Sequence, residues 1–587
     1  MEGFLPLEWA VFWSLLCIPF LVFGIRSMRK LFSKHPEKKL SLALSGAFIV
    51  ILSSLKIPSV TGSCSHPTGT GMSVMLSGPA ITAVVCTIVL LFQGTFMAHG
   101  GFTTLGANVF SMGIAGPFAA YFVYKAMRSR NTNPVLTVFA TVFIADIVTY
   151  MVTALQLTLV VVTGAEGAAF FDTYITFFGI FTITQIPIAI AESVLMVFFF
   201  RYLADVRPEL VKDIGFDTSM RNIKSSLNTE TKKNKGRTML ICFILALLAM
   251  ILLAYAVTFF GDLGGADDAG AETIEILIPG FEQLSENLID IGEFGISILF
   301  IIQTAIGVLI LAAVLRMLLR KGHRHGNEFN TVDTAAYGSP MFRWSPLAKL
   351  FLVLSLLVLN IASPSIWMSV FTGIIGLVLF IYASSLKPPR LMMRLFIYAQ
   401  VFVIIAVIVF AVVTPGDMVM SVRFFGFTVI FTDAGVALAL LLYARATSAL
   451  LLMFAFAVST PVPHLASALR RLRLPDVFVE MTVLIYRYTF LLMESAERMH
   501  LAAECRFGYS GYRRSMRTTS KLTAGIFMRS LDAAEKGQIT LQCRNYRGEF
   551  RSLSDLEKRS AAPTVLCAAV LLASVLFFFM LREGVIL

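Results

Sequence analysis

Apolar residues in this chain fall in blocks of about 18 to 30, the length that takes a helix through a ~30 Å hydrocarbon core. Polar residues collect between the blocks rather than alternating within them. Blocks begin near Leu7, Leu40, Ala80, Val109, Val135 and Tyr174, continue at 239–260 and 294–319, and resume near 347–359, 366–383, 395–413, 434–458 and 564–581. The pattern predicts an all-α, polytopic integral membrane protein with about 13 transmembrane helices. Two polar interruptions divide it. One, 205–237, is rich in Asn, Ser, Thr and Lys, a linker composition; the other is a basic junction at 320–325. Between the two spans that follow the linker lies a loop with nine acidic residues and no Lys or Arg.

Composition agrees: 57% of residues are hydrophobic, 14% are charged, and mean hydropathy is +0.79. These values exclude a soluble enzyme, a disordered chain and a disulfide scaffold. The net charge of +12 points in a polytopic protein to cytoplasmic loops that can meet anionic lipid, not to nucleic acid. The cysteines, Cys17, Cys64, Cys86, Cys242, Cys505, Cys543 and Cys567, contain no CxxC pair and read as reduced and unpaired. The run after Pro6 has no basic n-region and no cleavage pattern, so it reads as a span rather than a signal peptide.

Short basic loops stay cytoplasmic. Arg26, Arg29, Lys30, Lys34, Lys38 and Lys39 follow the first span, which sets the N-terminus outside and the acidic loop outside as well. Five apolar runs then separate two loops that should both be cytoplasmic, although an even number is required. A broken run or a hidden crossing is therefore expected, and the Gly-rich stretches 61–71 and 99–116 are the places for it. Irregular backbone at membrane depth persists only where protein or a cavity satisfies it.

The segment Ser63-Cys64-Ser65-His66-Pro67-Thr68-Gly69-Thr70-Gly71 sets an imidazole in a loop whose backbone can approach a ligand closely. His66 is the leading candidate residue and His99, also among glycines, the second; a loop imidazole can equally cap a helix or bind water. Neutral imidazole suits Ni(II), Co(II), Cu(II) and Zn(II). His35, His323, His325, His464 and His500 read as ordinary residues. No Walker A, GxSxG or HExxH motif occurs, so any ATP-driven work falls to a partner. The region 464–561 carries 17 Lys or Arg against 10 Asp or Glu and reads as cytoplasmic. Within it, Cys505-Arg506-Phe507-Gly508 and Cys543-Arg544-Asn545 recur, each offering a guanidinium suited to a partner's carboxylates or carbonyls.

The strings Met1-Glu2-Gly3-Phe4-Leu5-Pro6, Ser65-His66-Pro67-Thr68-Gly69-Thr70-Gly71 and His99-Gly100-Gly101-Phe102-Thr103-Thr104 resemble the metal-binding membrane component of energy-coupling factor transporters for cobalt or nickel. Gly264-Gly265-Ala266-Asp267-Asp268 and Gln303-Thr304-Ala305-Ile306-Gly307 resemble the small accessory subunit. Ser345-Pro346-Leu347-Ala348-Lys349-Leu350, Tyr486-Arg487-Tyr488 and the two Arg repeats resemble the transmembrane coupling component. The resemblance implies a fusion: a substrate component over 1–203, a cytoplasmic linker over 204–238, an accessory part over 239–325 and a coupling component over 326–587 with cytoplasmic helices at about 464–560. It further implies a non-enzymatic permease in a prokaryotic cell membrane that imports a divalent transition metal as cargo, binds no permanent cofactor and is driven by separate cytoplasmic ATPases. Cobalt is preferred to nickel through the accessory part.

By the same resemblance Arg506 and Arg544 contact the ATPases, although Cys505 and Cys543 stand where the family has Ala, and Phe507 and Asn545 where it has Gly. His66 is the implied metal ligand. The family's Met-His-Ile start is not present before Met1, so the expectation is an upstream start, with the Met1 amine as a substitute ligand. The alternative is an ion-gradient-driven transporter that uses Asp146 and Glu192, acidic groups set in apolar runs.

Overall fold

The computed structural model describes residues 5–36, 38–55, 57–58, 64–96, 100–164, 170–206, 335–385, 388–413, 418–424, 427–510, 512–543 and 561–582. The accessory part expected at 239–325, and the candidates Met1, His99 and Arg544, lie outside them.

The chain begins with α1 (Leu7–Lys34), which buries Ala10, Trp13, Cys17, Gly24 and Met28 on one stripe at helical spacing and turns Val11, Phe12, Leu15 and Ile18 outward, as lipid requires. Next, α2 (Lys38–Ser53) is buried nearly all round, because neighbours enclose it. A short hairpin, β1 (Ile57–Pro58) with β2 (Cys64–Ser65), leads into α3 (Thr70–Ser77). At Gly78 the backbone is left-handed (φ +81°), a conformation that glycine takes without strain, and Pro79 then opens α4 (Pro79–Phe96). Here α3 is a short separate helix set between the first glycine-rich stretch and α4. From Leu105 onward the second glycine-rich stretch is helical without a break: α5 (Leu105–Asn108), a π-helical turn at Val109–Ala115 and α6 (Gly116–Ser129) form one span. Two long helices, α7 (Pro134–Gly164) and α8 (Phe170–Val206), complete this half.

The second half holds α9 (Pro346–Ala362), α10 (Ile366–Ala383) and α11 (Arg390–Val413), followed by an antiparallel hairpin of β3 (Met418–Phe424) and β4 (Phe427–Thr432) that the apolar pattern did not predict. After it come α12 (Asp433–Ser459), α13 (Val462–Arg471), α14 (Asp476–Cys505), α15 (Tyr512–Cys543) and α16 (Ala562–Arg582). No Gly or Pro interrupts α14. The all-α multi-pass reading stands: among the described residues seven helices are long and apolar enough to cross a membrane, with two shorter apolar helices beside them. The nearly inaccessible Lys349 ammonium donates to the carbonyls of Met341 (3.1 Å) and Ser459 (2.6 Å). It thereby complements the negative end of α12.

One apolar core joins the halves. Gly46 of α2 lies so close to Ile485 of α14 that a Cβ there would meet it at 2.7 Å, and Phe48 and Phe199 both pack on Phe527 of α15. At the start of α2, Lys39 Nζ meets Glu480 Oε2 at 2.5 Å, with Glu480 2% exposed. The far end of α4 reaches α12: Gly94 lies beside Met453, and Phe102, just beyond the helix, stacks edge-on against Phe456.

Glu480→Ala strips Lys39 of this counter-charge inside the seam, so we expect a loss of about 3 kcal/mol, read as a lower unfolding midpoint of the purified chain in detergent. The double substitution Lys39→Leu with Glu480→Leu recovers most of that loss, because a buried ion pair and a packed apolar pair of similar volume are nearly equivalent.

Candidate functional site

The loop from Ser65 to Gly69 sits at the depth of the middle of α7, since His66 meets Tyr150 and Thr68 meets Asp146 one turn earlier. Backbone at that depth has no water to bond and takes its partners from side chains. The His66 N–H donates to the Tyr150 hydroxyl (2.9 Å), Pro67 has no N–H, the Thr68 N–H donates to Asp146 Oδ1 (3.2 Å) and the Gly69 N–H donates to Glu192 Oε1 (2.9 Å). Thr68 also gives its hydroxyl proton to Asp146 Oδ1 (2.5 Å), and Ser65 bonds Thr184 of α8 (2.7 Å). Gly69 is left-handed (φ +68°), and its missing Cβ leaves room for Ile49 and Leu52. Asp146, Thr149, Tyr150 and Thr153 recur at helical spacing on α7, and all are buried.

His66 is buried, with 7% of its surface exposed. Its Nδ1 lies 3.0 Å from the Pro67 carbonyl oxygen. A carbonyl accepts only, so Nδ1 carries a proton. The ring also stands edge-on to Tyr150. Asp146 Oδ2 and Glu192 Oε2 are buried, and the two carboxyls lie within hydrogen-bonding reach of each other. Among the described residues, no three His, Cys, Asp or Glu side chains converge as a full metal-ligand set. Of the proposed metal ligands, the described residues therefore include His66 alone.

At the cytoplasmic candidate, Arg506 closes α14 and is exposed. The Phe507 backbone is left-handed (φ +54°), and the Gly508 N–H returns to the Ala503 carbonyl (2.8 Å), so this is a helix-terminating turn of the kind that glycine normally serves. Phe507 therefore occupies the left-handed position while its ring is 76% exposed. The turn is braced by Thr518, which donates to the Gly508 carbonyl (2.8 Å), and by Tyr509 on His500 Nδ1 (2.7 Å). Burial, aided by the Glu504 carboxylate, raises the Tyr509 phenol above its ordinary value, so it stays protonated. His464 packs on the Phe342 ring and His35 lies at the exposed end of α1, as expected of ordinary residues. Sequence reasoning missed the loop partners Tyr150 and Thr184; the available signal was Asp146 and Tyr150 one turn apart in an apolar helix.

Residues 1–210 match the family described as "Cobalt uptake substrate-specific transmembrane region". Residues 231–328 match "Cobalt transport protein component CbiN", and residues 338–554 match "Cobalt transport protein". The "Putative fused cobalt transport protein CbiMQ" of Methanocorpusculum labreanum is 34% identical over 572 residues, covering 93% of each chain. The "Cobalt transport protein CbiM" of Chlorobium limicola is 51% identical over 37% of this chain and 84% of its own. A solved structure described as a truncated transition metal transporter aligns with a TM-score of 0.31 at 23% identity, covering 35% of this chain and 97% of that one.

Replacing Phe507 with Gly relieves the left-handed backbone at no loss of buried packing. We expect Phe507→Gly to stabilise the chain by about 1 kcal/mol, read as a raised unfolding midpoint in detergent.

Proposed function

The chain belongs to the fused cobalt transport family, and on that premise we propose that it is the membrane permease of an energy-coupling factor importer for cobalt, or for nickel in second place, driven by separate cytoplasmic ATPases. The observation that carries this reading is His66: a buried imidazole at membrane depth, in a loop held between α7 and α8, with its Nδ1 on the Pro67 carbonyl. Nε2 binds the incoming divalent cation from the outer side, in keeping with the preference of Co(II) and Ni(II) for imidazole.

The further nitrogen donors in this reading are the Met1 amine, from the N-terminal segment, and His99, from the second glycine-rich stretch. Leu5 is buried in one cluster with Trp13, Ala107, Leu159 and Val160, at the outer end of α7. From Val160 down to Tyr150 is about 15 Å along the helix, and each extended residue ahead of Leu5 adds about 3.3 Å of reach. The four residues ahead of Leu5 therefore reach about 13 Å when extended, most of the way to the depth of Tyr150.

In this reading residues 1–203 bind the cargo, 204–238 link, 239–325 form the accessory part whose acidic loop gathers cations by long-range attraction, and 326–587 couple to the ATPases through Arg506 and Arg544. Movement of the first part relative to the last releases the metal inward. A mismatch in depth supports this. By the loop charges, Phe102 follows the outer end of α4, yet it packs on Phe456, which lies only about 5 Å from the cytoplasmic end of α12. Two upright bodies in one bilayer would hold those rings about 20 Å apart, so the metal-binding half lies tilted against the coupling half, with its outer end lowered.

The test is radiometal uptake in cells that carry this chain with its ATPase, using cobalt and nickel in parallel and an ATPase-dead control. We expect uptake that disappears with the dead ATPase and falls at least tenfold in His66→Ala or in Arg506→Glu combined with Arg544→Glu. Uptake that ignores the ATPase and follows the proton gradient alone would refute the coupling reading.

A further inference from the structure

We propose that Asp146 and Glu192 are positioning residues of the metal site, which hold the His66 loop through their acceptor oxygens and so set both its affinity and its discrimination between metals. The inference rests on the transport reading of His66 and deepens it.

The backbone donors carry the argument. From His66 to Gly69 every available N–H ends on a side chain of α7 or α8: Tyr150 takes the first, Asp146 the second and Glu192 the third, with Pro67 offering none. The loop is thus a bridge between two helices and has no hydrogen-bond ladder of its own at these residues. Because His66 Nδ1 is tied to the Pro67 carbonyl of the same bridge, the direction of Nε2 follows the path of the loop. A carboxylate that moves the Thr68 or Gly69 amide moves the ligand atom with it. Both carboxyls are essentially inaccessible, at 0% and 2% exposure, so water has no route to replace either contact. Asp146 takes two donors from one residue, the Thr68 amide and hydroxyl, which fixes Thr68 in orientation as well as in place.

The alternative role for the same residues, charge coupling to an ion gradient, would require ionised carboxylates, whereas holding the loop requires only an acceptor oxygen at Oδ1 and Oε1. The amide isosteres separate the two roles, since Asn and Gln keep an acceptor oxygen and lose the charge.

The experiment measures cobalt and nickel binding to the purified full chain by equilibrium dialysis. We expect Asp146→Asn and Glu192→Gln to bind within about threefold of the parent, while Asp146→Ala and Glu192→Ala weaken binding by about 10- to 100-fold and narrow the cobalt-to-nickel ratio. An alanine at these buried positions can also unfold the chain, so Thr68→Val, which removes one hydroxyl donor and leaves both carboxyls in place, carries the test independently. It should weaken binding by about fivefold and shift the same ratio in a chain of native thermal stability. Parent-like affinity and ratio in the alanine and valine variants would overturn the proposal, and so would amide variants that lose binding as fully as alanine. His66→Ala, measured alongside, keeps the two readings apart: native binding there sinks the assignment of His66, whereas loss there with native binding in the other variants sinks only the positioning role.

Discussion

Backbone that leaves helical geometry at membrane depth must find a partner for each N–H within the protein, and the structure around the His66 loop is organised by that requirement. An unsatisfied amide in a water-free interior costs several kcal/mol. Three amides and one hydroxyl here converge on Tyr150, Asp146 and Glu192. Polar groups therefore appear in the middle of α7 and α8, where apolar residues would otherwise pack, and the two helices are tied to one loop as well as to each other. The same requirement explains why α3 exists as a short separate helix. A chain that descends irregularly from the outer side must resume helical bonding quickly, and Thr70 does so immediately after Gly69.

Much of this was legible in the sequence because the signals are local. Apolar runs marked the spans, and the two glycine-rich stretches marked where irregular backbone was expected, the first of which precedes the short helix α3. Its identity was harder to read, since the eight residues of α3 merge with the next apolar run and only Gly78-Pro79 marks the reversal. His66 could be singled out by its glycines and prolines. Asp146 and Glu192 stood out as acidic groups in apolar runs, but their pairing with this loop did not, for Asp146 lies 78 residues from Thr68 and Glu192 lies 123 from Gly69, and nothing local joins them. Phe507 stands where the resemblance puts glycine, and the left-handed turn there tolerates the bulk by directing it into solvent.

The seam between the halves combines two kinds of contact. Gly46 on Ile485 and the Phe48, Phe199 and Phe527 cluster give close, adaptable apolar packing. The Lys39–Glu480 pair adds a directional tether at one end of that surface. Apolar packing permits small rotations between helices, while a short ion pair fixes the point about which they occur. At the other end of the seam, Phe102 on Phe456 is an aromatic contact with no polar component between the rings, and its separation leaves no buried charge behind. The interface is thus firm at the base of α2 and easily parted beyond the end of α4.

That asymmetry gives α14 a mechanical meaning. With no Gly or Pro from Asp476 to Cys505, it behaves as a stiff rod whose pivot is Glu480 and whose free end is Arg506, about 39 Å away at 1.5 Å per residue. A swing of only ~10° about the pivot carries the free end through about 7 Å. The same rotation barely displaces Lys39, which sits at the pivot, so a wide motion at the Arg506 end of the rod corresponds to a turn in place at the base of the helix that leads into the His66 loop.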